Sequence, residues 1–209
     1  MKFRLMHLYQ RLRSFQYRMW SNWEIVEGKP IVHQPVQVYG KGKVRFKGRV
    51  HLGVFPSPGY LSGYIYIAAM APEAVVEIED GVYINNNTFI ISDGAGIVIG
   101  ARTLIGANCE ILDSDFHNTH PEKRRDSSAV VRKGKVVIGE DVMIGSNVRI
   151  LKGVKIGKNS VISNGSVVTR SIPENMLAYG NPVKCGPLID SEKWRTNGMA
   201  PAPAVGTSE

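Results

Sequence analysis

Cysteine is nearly absent from the sequence. Only Cys109 and Cys185 occur in 209 residues, and they form no CxxC pair, which argues against a disulfide framework or a zinc site and suits a reducing cytoplasm. No stretch approaches the eighteen or more continuous apolar residues of a membrane span, and the start lacks the apolar core of a signal peptide. Acidic residues are outnumbered, 18 against 26 Lys and Arg, giving a net charge of +8. The excess does not mark a nucleic-acid binder, because no recognisable nucleic-acid module is present and the aromatics are not interleaved with basic residues across a sheet. Much of it sits in residues 1–22 and in KGKVRFKGR at 41–49, so a polyanionic small molecule or an anionic membrane is the more economical partner. The expected location is cytoplasmic, at the inner face of the membrane if residues 1–22 bind lipid.

What the sequence does have is a period of six. In KVVIGEDVMIGSNVRILKGVKIGKNSVISNGSVVTR, residues 135–170, aliphatic side chains recur at Ile138, Ile144, Ile150, Ile156, Ile162 and Val168. Six fits neither the helix nor the simple strand. It marks a chain that turns at regular intervals, with one branched side chain per short strand pointing inward. The same spacing holds for Ile99, Ile105 and Ile111, for Ile78, Ile84 and Ile90, and for Val32, Val38, Val44 and Val50. This predicts an all-β fold, a parallel β-helix of hexapeptide repeats over about 30–184. A single repeat of that length argues for one domain, whose exposed ends favour self-association.

The phase breaks in three places. Between Ile90 and Ile99 it slips by three residues, in SDGAG. Between Ile111 and Ile138 a loop over 112–135 is extruded. Between Val50 and Ile78, prolines and a glycine at 56–59 predict an irregular coil containing one apolar strand, YIYIAAM. Ahead of the repeats, Leu5, Leu8, Leu12, Phe15 and Met19 follow three- and four-residue steps, which predicts an amphipathic helix over 1–22 flanked by Lys2, Arg4, Arg11, Arg13 and Arg18. Such a helix either caps the open end of the β-helix or packs on a neighbouring subunit, or lies on an anionic membrane. The tail, 185–209, reads as a short segment anchored by Trp194 followed by a flexible end.

The aliphatic-Gly hexapeptides, the loop carrying DFHNTHPEKRR and the closing IPENMLAYGNPVK resemble the left-handed β-helix acyltransferases of the galactoside, maltose and antibiotic O-acetyltransferase type. The resemblance covers roughly residues 73–188. It implies a homotrimer with each active site between two subunits, acetyl-CoA as donor, a carbohydrate acceptor and no metal. The unfamiliar N-terminal region fits better with enzymes that O-acetylate bacterial surface polysaccharides. An N-acyltransferase on an amino sugar and a non-catalytic scaffold are the alternatives. A γ-type carbonic anhydrase needs three zinc-binding histidines on the coils, which five histidines, one in the helix and two in one loop, do not supply.

Acyl transfer to an alcohol needs a group that removes the hydroxyl proton, and neutral imidazole suits that near pH 7. His117 matches the family's catalytic histidine. His120 is its neighbour, a loop-shaping or acceptor-side residue, and Glu122, Asp113 and Asp115 are candidates to orient the imidazole. The resemblance further implies an oxyanion donor in the Ser146 amide and acceptor contacts at Asn85 and Asp93, with Glu122 also on the acceptor side. It places the pantetheine arm along Ser146, Asn164 and Gly165, and the nucleotide phosphates at Thr169, Arg170 and Lys184. Where many relatives carry Trp before the Ile-Gly of the coil after the loop, this chain has Met143.

Overall fold

The computed structural model describes residues 2–188; the tail expectation built on Trp194 lies outside them. Each six-residue repeat supplies two inward positions, the predicted aliphatic and the residue two before it, because side chains two apart on a short strand share a face. Val142 with Ile144, Val148 with Ile150, and Val154 with Ile156 are all buried. Where the earlier position is Ser or Thr, the hydroxyl bonds the next coil's backbone: Thr103 Oγ1 donates to the Gly139 carbonyl at 2.9 Å, and Ser160 Oγ to the Pro173 carbonyl at 2.8 Å.

The strands stack as three parallel sheets around this core. The first takes Val26–Glu27, Lys43–Phe46, Val75–Ile78, Ile97–Ile99, Val136–Ile138 and Lys155–Ile156. The second takes Ile31–Val32, His51–Leu52, Tyr83–Ile84, Leu104–Ile105, Met143–Ile144, Val161–Ile162 and Met176–Tyr179, closed by an antiparallel strand, Lys184–Pro187. The third takes Val36–Gly40, Ile65–Ala69, Phe89–Ser92, Glu110–Leu112, Arg149–Ile150 and Val167–Val168. In the third sheet Ile111 pairs in register with Ile90 and Ile150 and is wholly buried. Ile111→Ala is therefore expected to cost about 2–5 kcal/mol, lowering the melting temperature by roughly 10 °C in a circular-dichroism melt.

Corners between sheets demand a left-handed backbone, which Asn and Gly tolerate best. Asn87, Asn108 and Asn147 occupy one such corner at φ 58–59°, and the Asn87 amide donates to Asn108 Oδ1 at 3.1 Å. The first coil departs from the expected pattern. Val32 is 38% exposed rather than inward, because its strand pairs only with His51–Leu52 on one side and its other side faces a cleft.

The break after Val50 resolves into an extruded loop over 53–64 followed by a regular strand, Ile65–Ala69, where the apolar segment was expected. Two buried amides hold the loop. Asn86 receives the Val54 N–H and donates to the Val54 and Pro58 carbonyls, each at 3.0 Å, while Gln34 donates to the Gly59 carbonyl at 2.8 Å.

The N-terminal helix, Lys2–Met19, docks against this loop with its polar face. Gln10 is buried and donates to the Tyr60 carbonyl. Arg13 donates to the Leu61 and Gly63 carbonyls, each at 2.8 Å, and Tyr17 packs on Tyr64 with ring centroids 4.9 Å apart. The expected apolar stripe points away from the coils and is left uncovered among the described residues.

Candidate active site

The loop leaves the solenoid at the corner between the third and first sheets, after Glu110–Leu112 and before Val136–Ile138. Its root is pinned by a group not singled out as structural in the sequence. Asp113 is fully buried and its carboxyl accepts three hydrogen bonds, from Ser92 Oγ at 2.6 Å and from the Asp93 and Gly96 amides at 2.7 Å each. Above it, a bridge joins Ser114 to Lys133. Asp93 accepts from Ser114 Oγ at 3.1 Å and pairs with Lys133 at 3.1 Å, so this expected acceptor ligand is committed to the loop's base.

Phe116 then adopts φ +58°, a conformation that costs a bulky residue on the order of 1–3 kcal/mol and that functional sites often retain. Its amide donates to Ser114 Oγ at 2.9 Å. The turn presents His117 exposed to solvent, in a cleft of about 530 Å³ that it lines with Asp115, Asn118, Thr119, Arg124 and Arg125. His120 and Glu122 are exposed on the turn that follows and do not line this cleft.

Neither the Asp113 nor the Asp115 carboxyl is bonded to the imidazole within the chain. Asp113 is spent on the loop root, and Asp115 is held by Lys152 at 2.6 Å and Arg132 at 3.4 Å. The contact between His117 and Asp115 is through the backbone, amide to carbonyl at 2.7 Å. Among the described residues no side chain bonds the ring.

The remaining expected residues stand elsewhere. Asn85 and Ser146 follow Tyr83–Ile84 and Met143–Ile144, at the corner between the second and third sheets, with Asn164 and Gly165 one coil above Ser146. That is a different corner from the one bearing His117, so the chain on its own does not bring them together. Asn85 Oδ1 accepts the Asn86 amide at 2.7 Å, which leaves its Nδ2 without a partner among the described residues. The Ser146 amide is not free. It donates to Asn164 Oδ1 at 2.7 Å, and it becomes available to an oxyanion only when Asn164 turns away. Thr169 and Arg170 follow the last strand of the third sheet, and Arg170 donates to the Val183 carbonyl at 3.0 Å. This sets its guanidinium near exposed Lys184, fourteen positions away in sequence.

Cys109 offers no nucleophile. It is buried beneath Gly145, whose carbonyl lies 3.1 Å from Sγ, and burial pushes the thiol up to about 11. Met143 is exposed and builds no aromatic wall.

A second cleft, of about 620 Å³, lies between the helix, the 53–64 loop and the second sheet, with His7, Arg11, His33, Phe55, Tyr60 and Tyr83 among its lining. His33, His51 and Tyr83 stack on successive coils, 5.6 and 4.1 Å between centroids. Partial desolvation in the cleft, and then His51 beside it, hold the half-exposed His33 imidazole below the usual histidine range. The unfolded chain takes up that proton near pH 6.5 while the folded one still refuses it, so stability falls as pH drops through about 6.5 and levels off below the folded value. His33→Gln should flatten the fall in melting temperature between about pH 7.5 and 5; an unaltered slope would assign the fall to other groups.

Comparison with known proteins agrees with this architecture. The bacterial transferase hexapeptide model (six repeats) matches residues 135–170, and the hexapeptide repeat of succinyl-transferase matches 96–112. No curated protein sequence matches the chain. Among solved structures, the galactoside acetyltransferase in complex with coenzyme A is 24% identical, covering 90% of this chain and 83% of that one, with a TM-score of 0.54. The N-acyltransferase AntD from Bacillus cereus, in complex with dTDP and 3-hydroxybutyryl-CoA, is 18% identical, covering 83% and 87%, with a TM-score of 0.62. A hexapeptide-repeat acetyltransferase from Vibrio cholerae O1 biovar eltor, complexed with acetyl coenzyme A, is 23% identical over 90% of each chain, with a TM-score of 0.50. The chain is a hexapeptide-repeat protein with the left-handed parallel β-helix fold of these acyltransferases.

Proposed function

We propose that this protein transfers acetyl from acetyl-CoA to a sugar hydroxyl, with His117 as general base. The observation that carries this reading is the His117 turn: an exposed imidazole, set by a left-handed residue on a loop anchored through a buried carboxyl, in a cleft whose other titratable walls are Asp115 and two arginines. Three similar structures bear CoA or acyl-CoA in their descriptions, which supports the choice of donor. His117 takes the acceptor proton as the oxygen attacks the thioester carbon. Collapse of the tetrahedral intermediate expels the CoA thiolate, which recovers the proton from the imidazolium, so no covalent enzyme intermediate is needed. The Ser146 amide steadies the oxyanion once Asn164 releases it. Arg170 and Lys184 hold the nucleotide phosphates, with Thr169 beside them.

Because His117 and Asn85 stand on different corners, the complete site requires a second copy of the chain, one subunit bringing the base and its neighbour the acceptor-side amide. The cleft of about 620 Å³ lined by Tyr83, two residues before Asn85, gives a saccharide room. A bacterial surface polysaccharide is the acceptor class that the basic N-terminal region favours. Transfer to an amino sugar is the second reading, favoured by the N-acyltransferase among the similar structures. Mass spectrometry of mono- and oligosaccharides, amino sugars included, after incubation with acetyl-CoA tests both. An added acetyl lost on hydroxylamine treatment is an ester, and a resistant one is an amide. Absence of both transfer and CoA binding would leave a scaffold.

A further inference from the structure

We infer that the N-terminal helix seats this protein on an anionic lipid bilayer, through an apolar stripe that the fold leaves uncovered. Leu5, Leu8, Leu12, Phe15 and Met19 step by three and four along one face of Lys2–Met19, and each is 55–64% exposed. Trp20, just beyond the helix, is 61% exposed. Uncovered apolar side chains in a continuous row mark an interaction surface.

The rotation of the helix is fixed from the opposite side. Buried Gln10 is bonded to the Tyr60 carbonyl, Arg13 to two further loop carbonyls, and Tyr17 packs on Tyr64. Turning the stripe inward would break these contacts and leave Gln10 and three carbonyls to find new partners. The stripe is therefore held outward by the protein's own packing.

Charge decides what covers it. Residues 2–19 contain no Asp or Glu, while Arg4, Arg11 and Arg18 recur every seven residues along one flank of the stripe. Arg18 is further steadied over the Trp23 ring, 4.7 Å from its centroid. Two such helices meeting stripe to stripe would bring these arginines together with no carboxylate on either helix to pair with them. An anionic headgroup layer answers both features, taking the guanidiniums at phosphate level and the apolar stripe about 5–10 Å into the acyl boundary. Among the described residues no helix is long and apolar enough to cross a membrane, so the contact lies in the plane of the interface.

The test is sedimentation of the full chain with vesicles of phosphatidylcholine alone and of phosphatidylcholine with phosphatidylglycerol. Binding should favour the anionic vesicles by about tenfold or more and weaken with salt. Arg4→Gln with Arg11→Gln and Arg18→Gln should lower it on the order of a hundredfold, at about a factor of five per arginine. Leu8→Ser with Leu12→Ser and Phe15→Ser should abolish it without changing the melting temperature or the mass by light scattering, since none of the three lies on the docked face. Equal binding to both vesicle types, or no binding by the full chain, would overturn the inference. A stripe variant that falls to a smaller mass would assign the stripe to contact between subunits instead.

Discussion

His117→Ala is expected to lower acetyl transfer on the order of a hundred- to ten-thousandfold, the usual scale for loss of a general base, and to leave the fold unchanged. The second half follows from the structure. The imidazole is exposed, no side chain among the described residues bonds to it, and the turn that carries it is held by backbone and Ser114 contacts. Turnover should fall while the melting temperature stays put and CoA still binds. Rate loss together with unfolding would indicate a structural histidine. His120→Ala, one turn on and outside the cleft lining, should change turnover far less.

Asp113→Ala should be the most damaging single change near the site, by a different route. It removes the acceptor for Ser92 Oγ and for the Asp93 and Gly96 amides, all at a fully buried position. Stranding buried donors costs about 1–3 kcal/mol each when nothing replaces the partner; with partial relaxation the total should be about 3–5 kcal/mol. That corresponds to a melting temperature lowered by roughly 10–15 °C. Activity should fall too, because the loop bearing His117 loses its root. Asp113→Asn should recover part of the stability, since its carbonyl still accepts. A variant at position 113 that melts like the wild type would show that the loop is held by other contacts.

These two neighbours show what was readable in the chain and what was not. The period of six was plain because an inward position in every short strand must be apolar, and Ile138 through Val168 obey it. The extruded loop over 112–135 was plain because a solenoid loses phase where chain is inserted, whereas the break after Val50 reads only as an irregular coil until the 53–64 loop is seen. Asp113 was not readable as structural, because an acid in a polar loop reads as solvated or catalytic until the burial and the three donors around it are known. The helix was legible from Leu5 to Met19, but amphipathic spacing describes a stripe without saying which face docks. Here the docked side is polar, through Gln10 and Arg13. Arg124 and Arg125 in the His117 cleft went unassigned because their signal, two basic residues in an exposed loop, is that of ordinary surface charge. Ser146 and Asn164 are both expected along the pantetheine arm, yet Asn164 Oδ1 caps the very amide assigned to the oxyanion. Their separation of eighteen residues, one full coil, was the available signal.

We propose that the site is complete only between two subunits, His117 from one and Asn85 from the next. Co-expression of His117→Ala and Asn85→Ala chains with different tags, followed by isolation of mixed oligomers, tests it most directly. Each variant alone should be nearly inactive. In a trimeric assembly the isolated mixed oligomers should recover about a third of the wild-type rate, because about one interface in three then joins an intact base to an intact acceptor residue. Mixed oligomers no more active than the parent variants would contradict the claim and place the working groups within one chain.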